Sequence, residues 1–129
     1  MRYKKVLLID TDEVDVYIST RIMKTASLAE EILVKSHPKE ALDYLESVAG
    51  SPDQLPDLIF LDLRMPETVG VDFLNEFMRL PDGIKNKCKI LILTNSLNSD
   101  RKKIADAKNN PFVVEILHKP LTVEVLENI

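Results

Sequence analysis

The sequence predicts one α/β domain, a doubly wound five-stranded parallel sheet with helices on both faces. Two observations favour this fold. Short apolar runs recur at five places, and each is followed by a stretch with the spacing of an amphipathic helix. The 129 residues also leave room for only one domain of ordinary size, so we expect residues 1–129 to form a single unit. Strands and helices that alternate in this way imply parallel strands joined by right-handed crossovers.

The predicted strands are short and, apart from Glu115 in the last, apolar, as in strands buried on both faces. They lie at residues 6–9, 32–34, 58–61, 90–93 and 113–117. Of the two common strand orders, 2-1-3-4-5 suits five strands and gives a flavodoxin-like (βα)5 fold. This order sets the carboxyl ends of the first and third strands side by side. Ligands of open α/β sheets bind at that point.

Five helices are expected between and after the strands. In the first, Asp12 is the predicted N-cap, and an apolar stripe follows at four-residue steps, at Val14, Ile18 and Ile22. The third is expected to follow Gly70 and to end near the turn at 80–83. Its inward-facing side chains are expected to be Phe73, Leu74, Phe77 and Met78. The fourth is expected to begin around residues 98–100 and to end at 109–110.

The composition excludes several classes of protein. Seventeen basic residues against twenty-one acidic ones give a net charge of −4, which argues against binding to nucleic acid or to an anionic membrane. No apolar run approaches the roughly eighteen residues of a membrane span. The single cysteine, Cys88, is predicted to serve in packing and fits a reducing compartment. We therefore expect a cytoplasmic protein without nucleic-acid or membrane partners.

Chemistry-bearing residues follow four of the five predicted strands. Asp10 follows the first strand and Asp62 the third, while Thr94 and Lys119 follow the fourth and fifth. Carboxylates that meet at one edge repel one another unless a cation intervenes, and an oxygen-rich site suits Mg²⁺. A threonine hydroxyl and a lysine charge beside the metal would stabilise a phosphoryl group in transfer. The predicted nucleophile is Asp62, which would form an acyl phosphate.

This ordered set resembles the receiver domain of the response-regulator family, of the stand-alone chemotaxis type, over essentially the whole chain. The resemblance rests on Asp62, Met65-Pro66, Gly70, Thr94 and Lys119-Pro120. It implies that Asp62 accepts a phosphoryl group from a histidine kinase or a histidine phosphotransfer domain. It also implies a Mg²⁺ ion held by Asp10, Asp62 and the backbone carbonyl of Arg64.

The resemblance further implies how the signal leaves the domain. Thr94 and Lys119 would contact the phosphoryl oxygens, and Thr94 would move on activation together with the residue at position 116. A downstream protein partner would bind the face formed by the fourth helix, fifth strand and fifth helix. Such a domain is not a conventional enzyme, although it catalyses its own phosphorylation and dephosphorylation.

The chain departs from the family pattern at two positions. The family usually has two adjacent acids after the first strand, and here the second is the neutral Thr11. We expect Thr11 to weaken Mg²⁺ binding and to slow phosphorylation, with Asp12 a candidate to replace the missing ligand. The second departure is Ile116, where the family often carries an aromatic switch residue. An aliphatic side chain would expose less surface on turning.

Two alternative functions follow from the same residues. One is a degenerate receiver that binds its partner without being phosphorylated, which the missing acid at Thr11 favours. The other is a phosphatase of the haloacid-dehalogenase type, because residues 10–14 fit its D-x-D-x-[TV] signature with Asp10 as the nucleophile. That family needs metal-binding acids on a strand after the lysine, and only ten residues follow Lys119.

Overall fold

The computed structural model describes residues 2–63, 67–94 and 101–129, and of residues 67–72 it describes the backbone alone. Within these ranges the helices and strands follow one another in the order β1 (Tyr3–Ile9), α1 (Glu13–Thr25), β2 (Ala29–Lys35), α2 (Pro38–Ser47), β3 (Leu58–Asp62), α3 (Glu67–Met78), α4 (Asp82–Lys87), β4 (Lys89–Thr94), α5 (Arg101–Lys108), β5 (Val113–His118) and α6 (Val123–Glu127). A short 3-10 turn at Pro52–Gln54 leads into β3.

The five strands form one parallel sheet in the order β2-β1-β3-β4-β5, which confirms the predicted doubly wound fold. All five residues of β3 are buried, as expected of a central strand covered on both faces. Ile9 of β1 pairs with Leu61 of β3. Asp10, which follows β1, and Asp62, the last residue of β3, therefore come to the same edge of the sheet.

Helices cover the sheet in two unequal groups. Side chains alternate along a strand, so Val6 and Leu8 of β1 face one group while Leu7 and Ile9 face the other. The first group contains α1 and α6, and the second contains α2, α3, α4 and α5. In the second group the Phe77 ring lies 6.0 Å from Phe73 and 5.8 Å from Phe112, joining α3 to the turn before β5.

The inward face of α1 differs from the predicted stripe. Ser19 and Met23 are buried, while Val14 is 66% and Ile18 41% exposed. Only Ile22 of the predicted stripe packs against the core. Residues at steps of three and four share one face of a helix. Here the face that meets the sheet carries Val16, Ser19 and Met23, so the helix is rotated relative to the predicted orientation.

Two features of the second group of helices also differ from the prediction. Helix α3 begins at Glu67 rather than after Gly70, and Met78 at its end is 37% exposed. The turn predicted at 80–83 instead leads into an additional short helix, α4, whose Ile84 is buried. Basic residues in its last turn favour the helix because they face the negative end of its dipole. The predicted start of α5 falls outside the described residues.

Cys88, at the end of α4, is buried as predicted for a packing residue. Burial raises the pKa of its thiol to about 12, so the group stays protonated at neutral pH. Among the described residues, no helix is both long and apolar enough to cross a membrane.

Asp57 joins β1 to α4 at the amino-terminal edge of the sheet, opposite the edge that carries Asp10 and Asp62. Its carboxylate accepts hydrogen bonds from the backbone N–H groups of Lys4 (2.9 Å) and Lys5 (3.3 Å) and from the ammonium of Lys87. Burial raises the pKa of Asp57, but these three donors outweigh burial and hold the pKa below its ordinary value. The ionised carboxylate therefore stabilises the fold.

We expect Asp57→Asn to lower the free energy of unfolding by about 1–2 kcal/mol at pH 7, because the charged partner of Lys87 is lost. Since the pKa is lowered in the folded protein, this difference should be present above about pH 4 and shrink as the pH falls below it. Urea denaturation at several pH values measures it. The exposed Asp53, changed to Asn, is the control. Equal unfolding free energies for the two variants would show that the Asp57 contacts are not stabilising.

Candidate functional site

Two of the predicted site residues, Asp10 and Asp62, lie side by side at the carboxyl edge of the sheet. Asp10 follows β1 and is fully buried, and Asp62 ends β3 and is only 2% exposed. Their position follows from the register of β1 and β3, which run parallel and end at the same edge of the sheet. Buried carboxylates this close together need compensation by positive charge or by hydrogen-bond donors.

Lys119 supplies a positive charge to this pair. The residue follows β5, and its backbone N–H donates to the carbonyl of Thr94 at 2.7 Å, which anchors the loop to the end of β4. Its side chain, 8% exposed, reaches across that strand end. The ammonium lies 3.0 Å from Asp10 Oδ2 and 3.3 Å from Asp62 Oδ2. The structure therefore brings three of the predicted site residues into one contact network.

A third carboxylate, Asp15, joins the network. It lies in the first turn of α1, and its Oδ2 atom is 3.0 Å from Lys119 Nζ. One carboxylate oxygen from each of Asp10, Asp15 and Asp62 lies within 4.8 Å of the other two. Sequence reasoning did not assign Asp15 to the site. The sequence does place Asp15 in the first turn of the helix that follows β1. Whether its side chain faces the site depends on the rotation of that helix, which the sequence spacing did not predict.

The pKa values of Asp10 and Lys119 reflect this environment. Burial raises the pKa of Asp10 to about 6, and the charge of Asp62 adds to the effect. The Asp12 N–H, which donates to Asp10 Oδ1 at 2.9 Å, and the Lys119 ammonium oppose it. Burial alone would lower the pKa of Lys119, but Asp15, Asp62 and Asp10 together raise it above its ordinary value. The lysine therefore remains a cation.

Asp12 has the structural role predicted for it. Its Oδ1 atom accepts hydrogen bonds from the N–H groups of Val14 (2.9 Å) and Asp15 (3.0 Å), so Asp12 is the N-cap of α1. It is exposed, and the group of three carboxylates does not include it. Its role as a metal ligand stays a prediction, as does that of the Arg64 carbonyl, which lies outside the described residues.

The two predicted switch residues lie on neighbouring strands. Thr94 ends β4 and is fully buried, and it is in register with His118 at the end of β5. Ile116, two residues earlier on β5, is partly buried and packs against the core on the side of α5. The backbone hydrogen bond from the Lys119 N–H links Thr94 to Lys119. Ile116 lies on the outer strand of the sheet, with its side chain against the core.

The donor set fits a hard divalent cation. Carboxylate oxygens are the ligands that Mg²⁺ prefers, and one or two carboxylates suffice to hold it beside a phosphate. Three carboxylates and one ammonium leave the cluster with two negative charges when all are ionised, which a divalent ion would balance. The same edge has a lysine and a buried threonine. The arrangement can therefore support phosphoryl transfer to a carboxylate.

Comparisons with known proteins point to the same chemistry. The family model of the response regulator receiver domain matches residues 6–129. Response regulator Rcp1 of Synechocystis sp. is 28% identical over 100 residues, which span 75% of this chain and 65% of Rcp1, slightly under two thirds of that relative. A solved two-component response regulator from Cytophaga hutchinsonii is similar at 28% identity with a TM-score of 0.85, covering 99% of this chain and 94% of that one. The Mn²⁺-bound form of Rcp1 is similar at 26% identity with a TM-score of 0.67, covering 97% and 87% of the two chains.

The phosphatase alternative is not supported by the chain after Lys119. It requires metal-binding acids on a strand in this segment. The segment instead forms α6, capped by Thr122, whose hydroxyl oxygen accepts a hydrogen bond from the N–H of Val125 at 3.1 Å. Glu124 lies in the first turn of this helix. The family model that matches residues 6–129 is that of the receiver domain and not that of a phosphatase.

We expect Asp10→Asn to change the pH dependence of stability in metal-free protein. An acid whose pKa is raised by folding binds its proton more tightly in the folded state, so stability falls as the pH rises from about 4 to about 6. The variant lacks this effect. Its unfolding free energy relative to wild type should therefore increase across that window, by on the order of 2 kcal/mol, and level off above it.

Chemical denaturation with a metal chelator present, from pH 4 upward, measures this difference. Asp106→Asn removes an exposed carboxylate on α5 and controls for the change in net charge. A difference between Asp10→Asn and wild type that does not vary with pH would contradict the raised pKa of Asp10.

Proposed function

The chain belongs to the response regulator receiver domain family, and we propose that Asp62 is its phosphoryl acceptor. The donor would be a phosphohistidine of a histidine kinase or of a histidine phosphotransfer domain. The observation that carries the proposal is the position of Asp62, buried at the end of β3 with Lys119 Nζ 3.3 Å from its Oδ2 atom. We further propose that residues 1–129 act as one receiver domain.

In the proposed reaction, a carboxylate oxygen of Asp62 attacks the phosphorus of the phosphohistidine. The new O–P bond forms as the P–N bond breaks, and the imidazole leaves with the electron pair of that bond. Lys119 already lies at the acceptor and would pair with a phosphoryl oxygen, and the hydroxyl of Thr94 would donate a hydrogen bond to another. Both interactions stabilise charge that is spread over the phosphoryl oxygens.

We propose that the domain uses Mg²⁺, held by Asp10 and Asp62 with the backbone carbonyl of Arg64, and with Asp12 as a weaker candidate. A bound Mg²⁺ would neutralise the phosphoryl oxygens, which a site with several carboxylates otherwise repels. The Mn²⁺-bound form of Rcp1 shows that a related protein takes a divalent ion. Ionisation of Asp10 should couple to metal binding, because a metal ligand has to lose its proton.

The output surface is proposed on α5, β5 and α6. β5 is the outer strand of the sheet on this side, and Val114 on it is 54% exposed. Ile116 and Ile104 line a groove there together with Lys108. A change in Thr94 on phosphorylation would reach this surface through the neighbouring strand and Ile116. The cytoplasmic location and the lack of nucleic-acid and membrane partners stay predictions from the sequence.

A degenerate receiver remains the second candidate, and Thr11 is the observation that favours it. The side chain at this position is neutral and exposed, where the family usually has a second acid. Weak metal binding would leave phosphorylation slow, and a partner could then be recognised without it. The two functions differ in whether Asp62 becomes phosphorylated.

We expect incubation with acetyl phosphate and Mg²⁺ to add the mass of one phosphoryl group to the wild-type protein, because Asp62 is positioned and charge-compensated as an acceptor. Intact-mass spectrometry detects the adduct. Asp62→Asn should abolish it, and Asp106→Asn, which removes an exposed carboxylate far along the chain, should not. A wild-type protein without an adduct would favour the degenerate receiver, and an adduct that persists in Asp62→Asn would place the acceptor elsewhere.

A further inference from the structure

We propose that Asp15 supplies the metal site with the carboxylate that residue 11 lacks. The inference extends the proposed Mg²⁺ site and assigns a ligand from α1 instead of from the loop after β1. A carboxylate at position 11 would approach the site along the chain directly after Asp10. Asp15 approaches the same place from the first turn of the helix that follows.

The distances between the three carboxylates support this assignment. One oxygen of each lies within 4.8 Å of the others. Oxygens around an octahedral Mg²⁺, each about 2.1 Å from the ion, lie about 3 Å apart when adjacent and about 4 Å apart when opposite. At least two of the three oxygen pairs would have to become adjacent, so their separations would have to shorten by at most about 2 Å. The Oδ2 atoms of these three residues already converge on one cation, Lys119 Nζ.

Local hydrogen bonding explains why Asp15 faces the site. An acid at the third position of a helix often turns back to accept a hydrogen bond from the N–H of the N-cap residue. Here the N-cap residue is Asp12, and its N–H donates to Asp10 Oδ1 at 2.9 Å. Asp10 thereby takes over that role. The Asp15 carboxylate points to Lys119 instead, with its side chain 25% exposed.

The charge of the site gives an independent argument. With Thr11 neutral, Asp10 and Asp62 would face Lys119 with a net charge of −1 when ionised. Asp15 brings the net charge to −2, which equals in magnitude the charge of the ion that the family uses. The departure at Thr11 therefore leaves the electrostatic attraction for a divalent cation intact.

The contact with Lys119 offers a rival explanation, in which Asp15 only positions the lysine. The two explanations differ in a measurable way. A metal ligand affects Mg²⁺ affinity whether or not the lysine is present. A residue that acts through Lys119 affects the metal only while the ammonium is there.

The test is calorimetric titration of the full chain with MgCl2. We expect Asp15→Asn to weaken Mg²⁺ binding about tenfold or more, the loss typical for groups that support a metal site. Glu13→Gln is the matched control, because it removes the same charge from an exposed residue in the same helical turn and should leave the affinity within about twofold. Adding Thr11→Asp to Asp15→Asn should restore most of the lost affinity.

The comparison is repeated in Lys119→Met protein, with circular dichroism used to confirm that each variant is folded. Asp15→Asn should weaken Mg²⁺ binding there as well. The proposal is overturned if Asp15→Asn binds like the control, if Thr11→Asp does not restore affinity, or if the effect disappears without Lys119. None of these results touches phosphorylation of Asp62, which the mass measurement tests separately. Conversely, Asp15-dependent Mg²⁺ binding in a chain that forms no acyl phosphate would refute the proposed function alone.

Discussion

The site depends on one ammonium group held among three carboxylates. Lys119 Nζ lies 3.0 to 3.3 Å from oxygens of Asp10, Asp15 and Asp62, and two of these acids are almost completely buried. Without this cation, carboxylates from adjacent strands would repel one another in a region of low dielectric constant. Burial nevertheless raises the pKa of Asp10 to about 6, and the charge of Asp62 adds to this effect. With all three carboxylates ionised, the cluster carries a net charge of −2 at the point where a cation and a phosphoryl group would bind.

Helix α1 contributes more to this site than its position after β1 suggests. Asp12 caps the helix, its N–H fixes Asp10, and Asp15 reaches Lys119 from the first turn. The same rotation that points Asp15 at the site leaves Val14 and Ile18 exposed. These contacts link the N-cap of α1, the pKa of Asp10 and the position of the Lys119 side chain. A substitution that alters one of them should therefore also change the other two.

Most of the fold and part of the site could be predicted from the sequence. Apolar runs gave the strands, and the strand order then required Asp10 and Asp62 to meet, because parallel strands bring their carboxyl ends to one edge. Local spacing could not give the rotation of α1, which is fixed by packing against the sheet, and so Asp15 was missed. For the same reason the sequence predicts a turn where α4 lies: Pro81 precedes the helix and Gly83 is in its first turn, while the burial of Ile84 is a tertiary effect.

We propose that this edge of the sheet forms an acyl-phosphate site that requires a divalent cation. Beryllium and fluoride tested by 19F NMR address it most directly, because beryllofluoride binds a receptive carboxylate as a stable mimic of its phosphorylated form. We expect resonances of bound fluoride that appear only when Mg²⁺ is present and that are absent from Asp62→Asn protein. A spectrum at saturating Mg²⁺ that shows only the resonances of free fluoride and free beryllofluoride would contradict the proposal. Bound resonances that do not depend on Mg²⁺ would contradict it as well.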